Sequence, residues 1–214
     1  MHITDWVTNN YIEIFGAITG IIYVFLEIRQ SIWLWPVGII TSGVYIWIFF
    51  TGKLYADMSL QGYYLVISIL GWYWWVRKKR GRGGEREKGG FNETERLRDE
   101  ETERLKVTRL NLRTGIALCV VFTLLFSTMW LILDRLTDSP VPGWDSFITS
   151  LSIIATWMLA RKIYEHWFLW IIVNTVAAGL FYFRGLYPTI ILYIIYLFMS
   201  FAGLKVWKVS ILRN

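Results

Sequence analysis

Cysteine, histidine and catalytic motifs are scarce in this chain, and each shortage excludes a class of protein. Cys119 is the single cysteine, so an internal disulfide is impossible. Only two histidines are present, and the H-E-x-x-H and G-x-S-x-G motifs of metal and serine hydrolases are absent. We therefore predict no catalytic residue, no metal and no cofactor, which leaves an intramembrane enzyme as a weak alternative.

Long apolar stretches are what the chain does contain. Seven of them approach the roughly 20 residues that a helix needs to cross a bilayer: 11–28, 32–50, 58–76, 114–133, 144–160, 166–183 and 187–207. Seven helices that are apolar all round would leave no polar face for water. Met1 to Asn10 has no basic leader or cleavage site, so we expect the first helix to be retained. The stretches predict an all-α transmembrane protein.

Residues 29 to 75 recur 132 positions later, with 14 identities in 47 positions. The identical pairs include Trp35 and Trp167, Gly71 and Gly203, Trp75 and Trp207. Such self-similarity indicates a duplicated unit, which in a membrane protein suggests a transporter. One extra span between two three-helix units gives both copies the same orientation. We therefore predict a first repeat (1–76), a charged loop (77–113), a linking helix (114–133) and a second, parallel repeat (134–214).

The segment 77–113 carries most of the net charge. It holds 13 Lys and Arg against 8 Asp and Glu, a net of +5 within the chain's total of +6. The positive-inside rule places it in the cytoplasm, with the N-terminus outside and the C-terminus inside. Because the basic charge is local, we predict no nucleic-acid partner. Glu93 to Leu110 is predicted to be helical at the surface.

Polar and aromatic side chains form stripes on several predicted spans. Trp167, Trp170 and Asn174 are spaced i, i+3, i+7, so they lie within about 60° of one face. An amide in hydrocarbon needs a partner, which makes Asn174 either a ligand contact or an interhelical hydrogen bond. For the tryptophans the alternative is the interfacial aromatic belt. The other candidates are Trp35, Ser42, Gln61, Tyr64, Ser68, Tyr196 and Ser200, and the third-span stripe continues to Trp72 and Trp75.

No Asp, Glu, Lys, Arg or His lies at mid-depth in the predicted spans, since Glu13, Glu27 and His166 are near the span ends. Proton-coupled carriers usually place a titratable group on the path, so this absence favours facilitated diffusion. A flat polar ligand suits the stripes, and a cationic one could be held by the π faces of Trp and Tyr.

The chain resembles the PnuC family of bacterial vitamin transporters in its three-plus-one-plus-three plan and in several motifs. These are Leu54-Tyr55-Ala56-Asp57, Gly71-Trp72-Tyr73-Trp74, Trp167-x-x-Trp170-x-x-x-Asn174 and Gly185-Leu186-Tyr187. The resemblance implies a bacterial inner-membrane protein related in architecture to the SWEET sugar carriers. It also implies uptake of nicotinamide riboside, trapping by a cytoplasmic vitamin kinase, and a site lined by Trp167, Trp170 and Asn174.

Several alternatives stay open at this point. Thiamine and riboflavin are carried by other members of the family, and a purely structural membrane protein is a further reading. The sequence gives no oligomeric state, so a homo-oligomer is also open.

Overall fold

Seven helices form the part of the chain that the structure describes, residues 11–51, 55–86, 107–136, 140–183 and 187–212 of a computed structural model. In chain order they are α1 (Tyr11–Ile28), α2 (Leu34–Thr51), α3 (Tyr55–Arg86), α4 (Leu112–Leu136), α5 (Pro142–Ala160), α6 (His166–Phe183) and α7 (Tyr187–Leu212). Within these residues, extended backbone pairs at one parallel bridge, between Thr108 and Ile163. The predicted all-α class with seven helices is confirmed.

Three helical segments are long and apolar enough to cross a membrane: Leu112–Leu136, His166–Phe183 and Thr189–Leu212. Phe15–Ile28 and Leu34–Trp47 are shorter apolar helices. Large hydrophobic side chains point outward on many of these helices, as in Trp47 and Phe183. Apolar side chains that point outward are suited to a lipid environment, whereas a soluble protein would bury them.

Two regions differ most from the prediction. Helix α3 continues through Arg86 rather than stopping near position 76, because lysine and arginine are good helix formers. Of the surface helix predicted for Glu93 to Leu110, residues 93–106 lie outside the described part. Val107 to Leu110 is not helical, since Thr108 pairs instead with the turn after α5.

The chain divides into a first unit, Met1–Gly90, and a second unit, Phe91–Asn214. In the first unit α2 packs along α3, and α1 packs on α2. In the second unit α4 packs on α5, α5 on α6, and α6 on α7.

Helix α1 ends in a tight turn built around Gln30, which has a positive φ of 51°. The Ser31 N–H donates to the Leu26 carbonyl at 2.9 Å, and the Gln30 N–H donates to the Glu27 carbonyl at 3.0 Å. This pattern is a Schellman motif, which satisfies carbonyl groups at the helix end and turns the chain sharply. The turn brings Trp35 back against the unit's interior.

Helix α5 ends in the same motif, 132 positions later. Lys162 has a positive φ of 57°, and its N–H donates to the Leu159 carbonyl at 2.8 Å. The Ile163 N–H donates to the Met158 carbonyl at 2.9 Å. The local geometry therefore recurs at the offset of the sequence repeat.

Helices α4 and α5 differ sharply in burial, although they pack on each other. Helix α4 has no buried residue among those described, and Cys119 is exposed on it. Helix α5 is buried on most sides, including at Ser146 and Ser150. Side chains of α4 nevertheless cover one cluster on α5: Leu118, Phe122 and Leu125 pack against Ile154, Met158 and Ile163.

Candidate functional site

Trp167, at the start of α6, is fully buried. The tip of its ring lies on Gly203 of α7, where an added Cβ would overlap the ring atoms. Its indole meets Trp207 edge to face, with centroids 5.9 Å apart and planes at 80°. Gly203 therefore allows this indole to approach the α7 backbone closely. Trp167 thus joins α6 to α7.

Asn174 lies two turns further along α6 and is 5% exposed. Its Nδ2 donates to the Ser200 hydroxyl at 3.1 Å, and that hydroxyl donates to the Tyr196 carbonyl at 2.8 Å. The structure therefore brings together three residues that the sequence singled out on two helices. The interhelical hydrogen bond considered for Asn174 is present, and it uses one of the two amide hydrogens.

Trp170, between these two residues, is half-buried. Its indole Nε1 is buried and has no hydrogen-bond acceptor among the described residues. The same holds for Nε1 of Trp167. A buried N–H without an acceptor is costly. Trp167 is enclosed by α7, so the half-buried Trp170 is the indole of α6 whose N–H a polar ligand could satisfy.

The first unit repeats the tryptophan arrangement. Trp35 of α2 is fully buried, and its ring lies on Gly71 of α3, where a Cβ would again overlap it. Its indole meets Trp75 edge to face at 5.3 Å and 88°. As in the second unit, Nε1 of this indole is buried without an acceptor among the described residues. The two units share this contact in full.

The remaining first-unit candidates lie on α2 and α3. Ser42 and Ser68 are buried, and Gln61 and Tyr64 are half-buried. Trp72, which extends the predicted stripe, is instead 43% exposed. Helical geometry explains the difference, because Trp72 lies about 60–80° around the helix from Trp75 and Tyr64.

Two residues near these candidates were not identified as site residues from the sequence. His166 is fully buried, with its ring 4.7 Å from Trp167 and 4.6 Å from Trp207, and its Nδ1 donates to the Ile163 carbonyl at 2.7 Å. Tyr23 of α1 reaches Gly38 of α2, where an added Cβ would lie 3.2 Å from its ring. Only the folded chain shows the neighbours of either residue.

Charged side chains distinguish the turn after α5 from the candidate residues inside the two units. Among the described residues, no group of three His, Cys, Asp or Glu could hold a metal ion. At the turn, burial and then the Glu165 carboxylate raise the pKa of the Tyr164 hydroxyl, whereas Arg109 lowers it. Asn174, by contrast, is hydrogen-bonded to a neutral hydroxyl, that of Ser200.

Comparison with known proteins gives consistent matches over nearly the whole chain. The family model described as nicotinamide mononucleotide transporter matches residues 10–209. The nicotinamide riboside transporter PnuC of Escherichia coli is 28% identical over 222 residues, which cover 92% of this chain and 85% of that protein.

Two further proteins are similar. The riboflavin/roseoflavin transporter RibM of Streptomyces davaonensis is 27% identical over 195 residues, covering 91% of this chain and 83% of RibM. The crystal structure of the vitamin B3 transporter PnuC has a TM-score of 0.68 with 23% identity, over 96% of this chain and 84% of that one. At that identity the structural match speaks for the fold.

Proposed function

This chain belongs to the nicotinamide mononucleotide transporter family, which includes the PnuC transporters, and from that membership we propose that it takes up nicotinamide riboside by facilitated diffusion. It is a multi-pass membrane protein of a family that transports vitamins. The proposed cargo is supported by the names of the relatives that match over most of their length. Riboflavin is the second candidate because RibM matches at nearly the same identity, and thiamine is a third cargo to test.

One observation carries the proposed site: a buried indole N–H and a buried amide lie one turn apart on α6. Nε1 of Trp170 has no acceptor among the described residues, and Asn174 is held in place by Ser200. A fixed amide loses little conformational entropy when it binds a ligand. Trp170 would donate to a carbonyl or hydroxyl oxygen of the cargo, and its ring would stack on a flat heterocycle.

The other candidate residues complete the proposal in two groups. In the second unit, Trp167 packs against α7 one turn before Trp170. The Ser200 hydroxyl accepts from Asn174, and the Tyr196 carbonyl holds that hydroxyl in place. In the first unit, Gln61, Tyr64 and Ser68 provide the main further hydroxyl and amide groups, and Ser42 provides a secondary hydroxyl. Trp35 packs on Gly71 in the same repeat. All of these groups are neutral, which suits a hydroxylated cargo of low charge.

Facilitated diffusion is the mechanism we infer, with phosphorylation by a cytoplasmic kinase as the trap. The support is the lack of Asp, Glu, Lys, Arg and His at mid-depth in the predicted spans, because a coupled carrier needs a group on the path that binds the coupling proton. Uptake into proteoliposomes should therefore stop at equal concentrations inside and outside. Accumulation above that level without a kinase, abolished by a protonophore, contradicts the uncoupled mechanism.

For the arrangement in the membrane, we propose two three-helix repeats, 1–76 and 134–214, with the same orientation in a bacterial inner membrane. The linking helix 114–133 and a cytoplasmic loop 77–113 join them, with the N-terminus outside. To test this, Cys119→Ser removes the native thiol, and Leu136→Cys and Lys162→Cys place single thiols at predicted outer and inner ends. An impermeant maleimide should label only the Leu136→Cys variant in intact cells, and the reverse result overturns the orientation.

Calorimetry on the purified protein tests the cargo most directly. Nicotinamide riboside, riboflavin and thiamine would be titrated under one condition. We expect nicotinamide riboside to bind most tightly. Tighter binding of riboflavin selects the second candidate, and a protein that binds none of the three overturns the proposal.

A further inference from the structure

A short segment before α4, Val107 to Asn111, is fixed to the turn between α5 and α6. The Thr108 N–H donates to the Lys162 carbonyl at 2.9 Å, and the Tyr164 N–H donates to the Thr108 carbonyl at 2.9 Å. The Leu110 N–H donates to Oε2 of Glu165 at 2.8 Å. We name this segment the strap. Its hydrogen bonds fix the entry of the chain into α4.

Between the strap, the start of α4 and the end of α5 lies a cavity of about 320 Å³. Its lining residues are Thr108, Arg109, Asn111, Thr114, Trp157, Arg161 and Ile163. Among the described residues, the lining includes two arginines, two threonines and an asparagine, and no acidic residue. Glu165 is close by, and its carboxylate accepts the Leu110 N–H. The cavity therefore favours an anion with several acceptor oxygens.

Arg161 is held over an aromatic ring in this cavity. Its Cζ lies 5.6 Å from the centroid of the Trp157 ring, which is within the range of a cation–π interaction. The ring orients the guanidinium group at the cavity wall, and the planar donors of arginine bind phosphate in a bidentate manner. Phosphate is the group that matches the lining best.

An apolar stripe on α4 begins at the cavity. Thr114 lines the cavity, and Ala117, Val121 and Leu124 follow it at spacings of 3, 4 and 3, within about 80° of one face. These three side chains are exposed, and α4 as a whole has no buried residue among those described. A hydrocarbon chain could therefore lie along α4 directly beside the cationic cavity.

We propose that this cavity binds the phosphate of an anionic phospholipid whose acyl chain lies along the α4 stripe. Charge complementarity with the two arginines and the apolar stripe beside them together favour a lipid over a free phosphate. Basic pockets at the cytoplasmic ends of transmembrane helices are suited to such head groups. The leaflet follows from the orientation given under the proposed function, whereas the binding itself does not depend on any vitamin.

Native mass spectrometry of the detergent-purified protein tests the proposal. Phosphatidylglycerol and phosphatidylcholine of equal chain length would be added to the wild type, Arg109→Gln, Arg161→Gln and the double variant. A basic residue near a membrane surface contributes about 1 kcal/mol, so each single change should weaken retention of phosphatidylglycerol roughly fivefold and the double change roughly thirtyfold. Retention of phosphatidylcholine should be weaker and unchanged by the substitutions.

Arg29→Gln is the matched control. Arg29 is the counterpart of Arg161 at the repeat offset, and its Cζ lies 4.6 Å from the Phe25 ring centroid, but it does not line the cavity. The substitution should leave phosphatidylglycerol retention unchanged. A loss equal to that of Arg161→Gln would mean that total charge governs retention, and it would overturn the site.

Two further measurements separate the possible sources of phosphate. Leu124→Ser should weaken the retention of phosphatidylglycerol, because it makes the stripe polar. The same substitution should not change the affinity for glycerol 3-phosphate, which has no acyl chain. If glycerol 3-phosphate or inorganic phosphate competes as well as the lipid does, the site takes a free anion and the lipid proposal fails. Should the double variant not fold, the single Arg109→Gln variant decides, since Arg109 is exposed on the strap.

Failure of this proposal is distinguishable from failure of the proposed function. Vitamin binding would be measured on the same variants and should not change. A wild type that binds no vitamin but retains phosphatidylglycerol through Arg109 and Arg161 would leave the lipid site standing.

Discussion

The two units share their packing and differ in the polar groups placed upon it. Trp35 on Gly71 and Trp167 on Gly203 are the same contact, and a second tryptophan meets each indole edge to face. The Schellman turns that precede them have the same hydrogen bonds. What the duplication has kept is therefore the contact that joins the second and third helix of each unit.

The differences lie within a few residues of that shared contact. At the 132-residue offset, Gly38 corresponds to Trp170, Ser42 to Asn174 and Leu34 to His166. Tyr23, whose ring lies beside Gly38, corresponds to Ala155. The large aromatic side chain is therefore Tyr23 of α1 in the first unit and Trp170 of α6 in the second. The two units thus keep the same tryptophan–glycine contact, whereas the residues proposed to bind the cargo differ between them.

The largest expected effect tests the shared contact. Trp35→Ala and Trp167→Ala should each lower the free energy of unfolding by about 3 kcal/mol or more, because each leaves a cavity beside a glycine that cannot fill it. Thermal unfolding in detergent measures the loss. Trp47→Ala, at a residue 69% exposed, is the control. A large loss of unfolding free energy in only one of the two variants would contradict the claim that the contact stabilises both units alike.

The next effect tests the difference between the units. Asn174→Ala should weaken vitamin binding about tenfold, because a buried amide hydrogen bond contributes roughly 1 kcal/mol or somewhat more. Trp170→Ala should act similarly by removing a donor and a stacking surface. Calorimetry would follow both.

Ser42→Ala is the matched control for Asn174→Ala, since it changes the corresponding position of the first unit. Its binding constant should change less than about twofold, the effect expected when a hydroxyl is not a principal ligand contact. Equal losses at Ser42 and Asn174 would show that recognition is divided evenly between the units. Unchanged affinity in both second-unit variants would remove α6 from the site.

A smaller effect concerns the strap, which attaches to Glu165. Glu165→Leu should destabilise the strap by about 1–2 kcal/mol, because the Leu110 N–H loses a charged acceptor. Faster hydrogen exchange at the Leu110 amide measures it. Glu165→Gln keeps an acceptor and should show a smaller change. Trp33→Leu changes the corresponding residue of the first unit, which is 67% exposed, and should leave exchange unaffected.

The smallest effect returns to the shared turns. Gln30→Gly and Lys162→Gly place glycine where φ is positive, which removes a conformational strain of about 1 kcal/mol and adds chain entropy to the unfolded state. Lys162→Gly should be stabilised by at most about 0.5–1 kcal/mol, and Gln30→Gly by less, because it also loses a buried side chain. Thermal unfolding again measures both. An equal or larger gain at Gln30 would mean that the first turn is the more strained.

The sequence could predict the helices, because apolar length and periodicity are local properties. The i, i+3, i+7 spacing put Trp167, Trp170 and Asn174 on one face, and the repeat offset marked Trp35 and Trp167 as equivalent positions. The partner of Asn174, Ser200, could not be predicted because it depends on how α7 packs against α6. The strap could not be predicted, because Thr108 and Ile163 are far apart in the chain and no pattern marks their pairing. Residues Glu93 to Leu110 contain good helix formers, yet hydrogen bonds to the α5–α6 turn keep Val107 to Leu110 extended.

The neighbours of Tyr23 and His166 were missed for different reasons. Tyr23 lies before residue 29, where the repeat begins. Its correspondence to Ala155 is therefore found only when the alignment of the two copies is extended toward the N-terminus. His166 was noted at the edge of a span, but its place between two indoles depends on α7 folding back onto α6. Trp72 is exposed because it lies at the edge of the helix face that is buried. Residue spacing gives the direction of that face but not how far around the helix the burial extends.

The exposed thiol of Cys119 on α4 makes the native chain directly accessible to spectroscopy. A nitroxide attached there needs no substitution elsewhere, because the chain has no second cysteine. Its collision rates with dissolved oxygen and with a water-soluble nickel chelate would give the depth of α4 in a bilayer. That one depth would anchor an ångström scale for every other position along the helix.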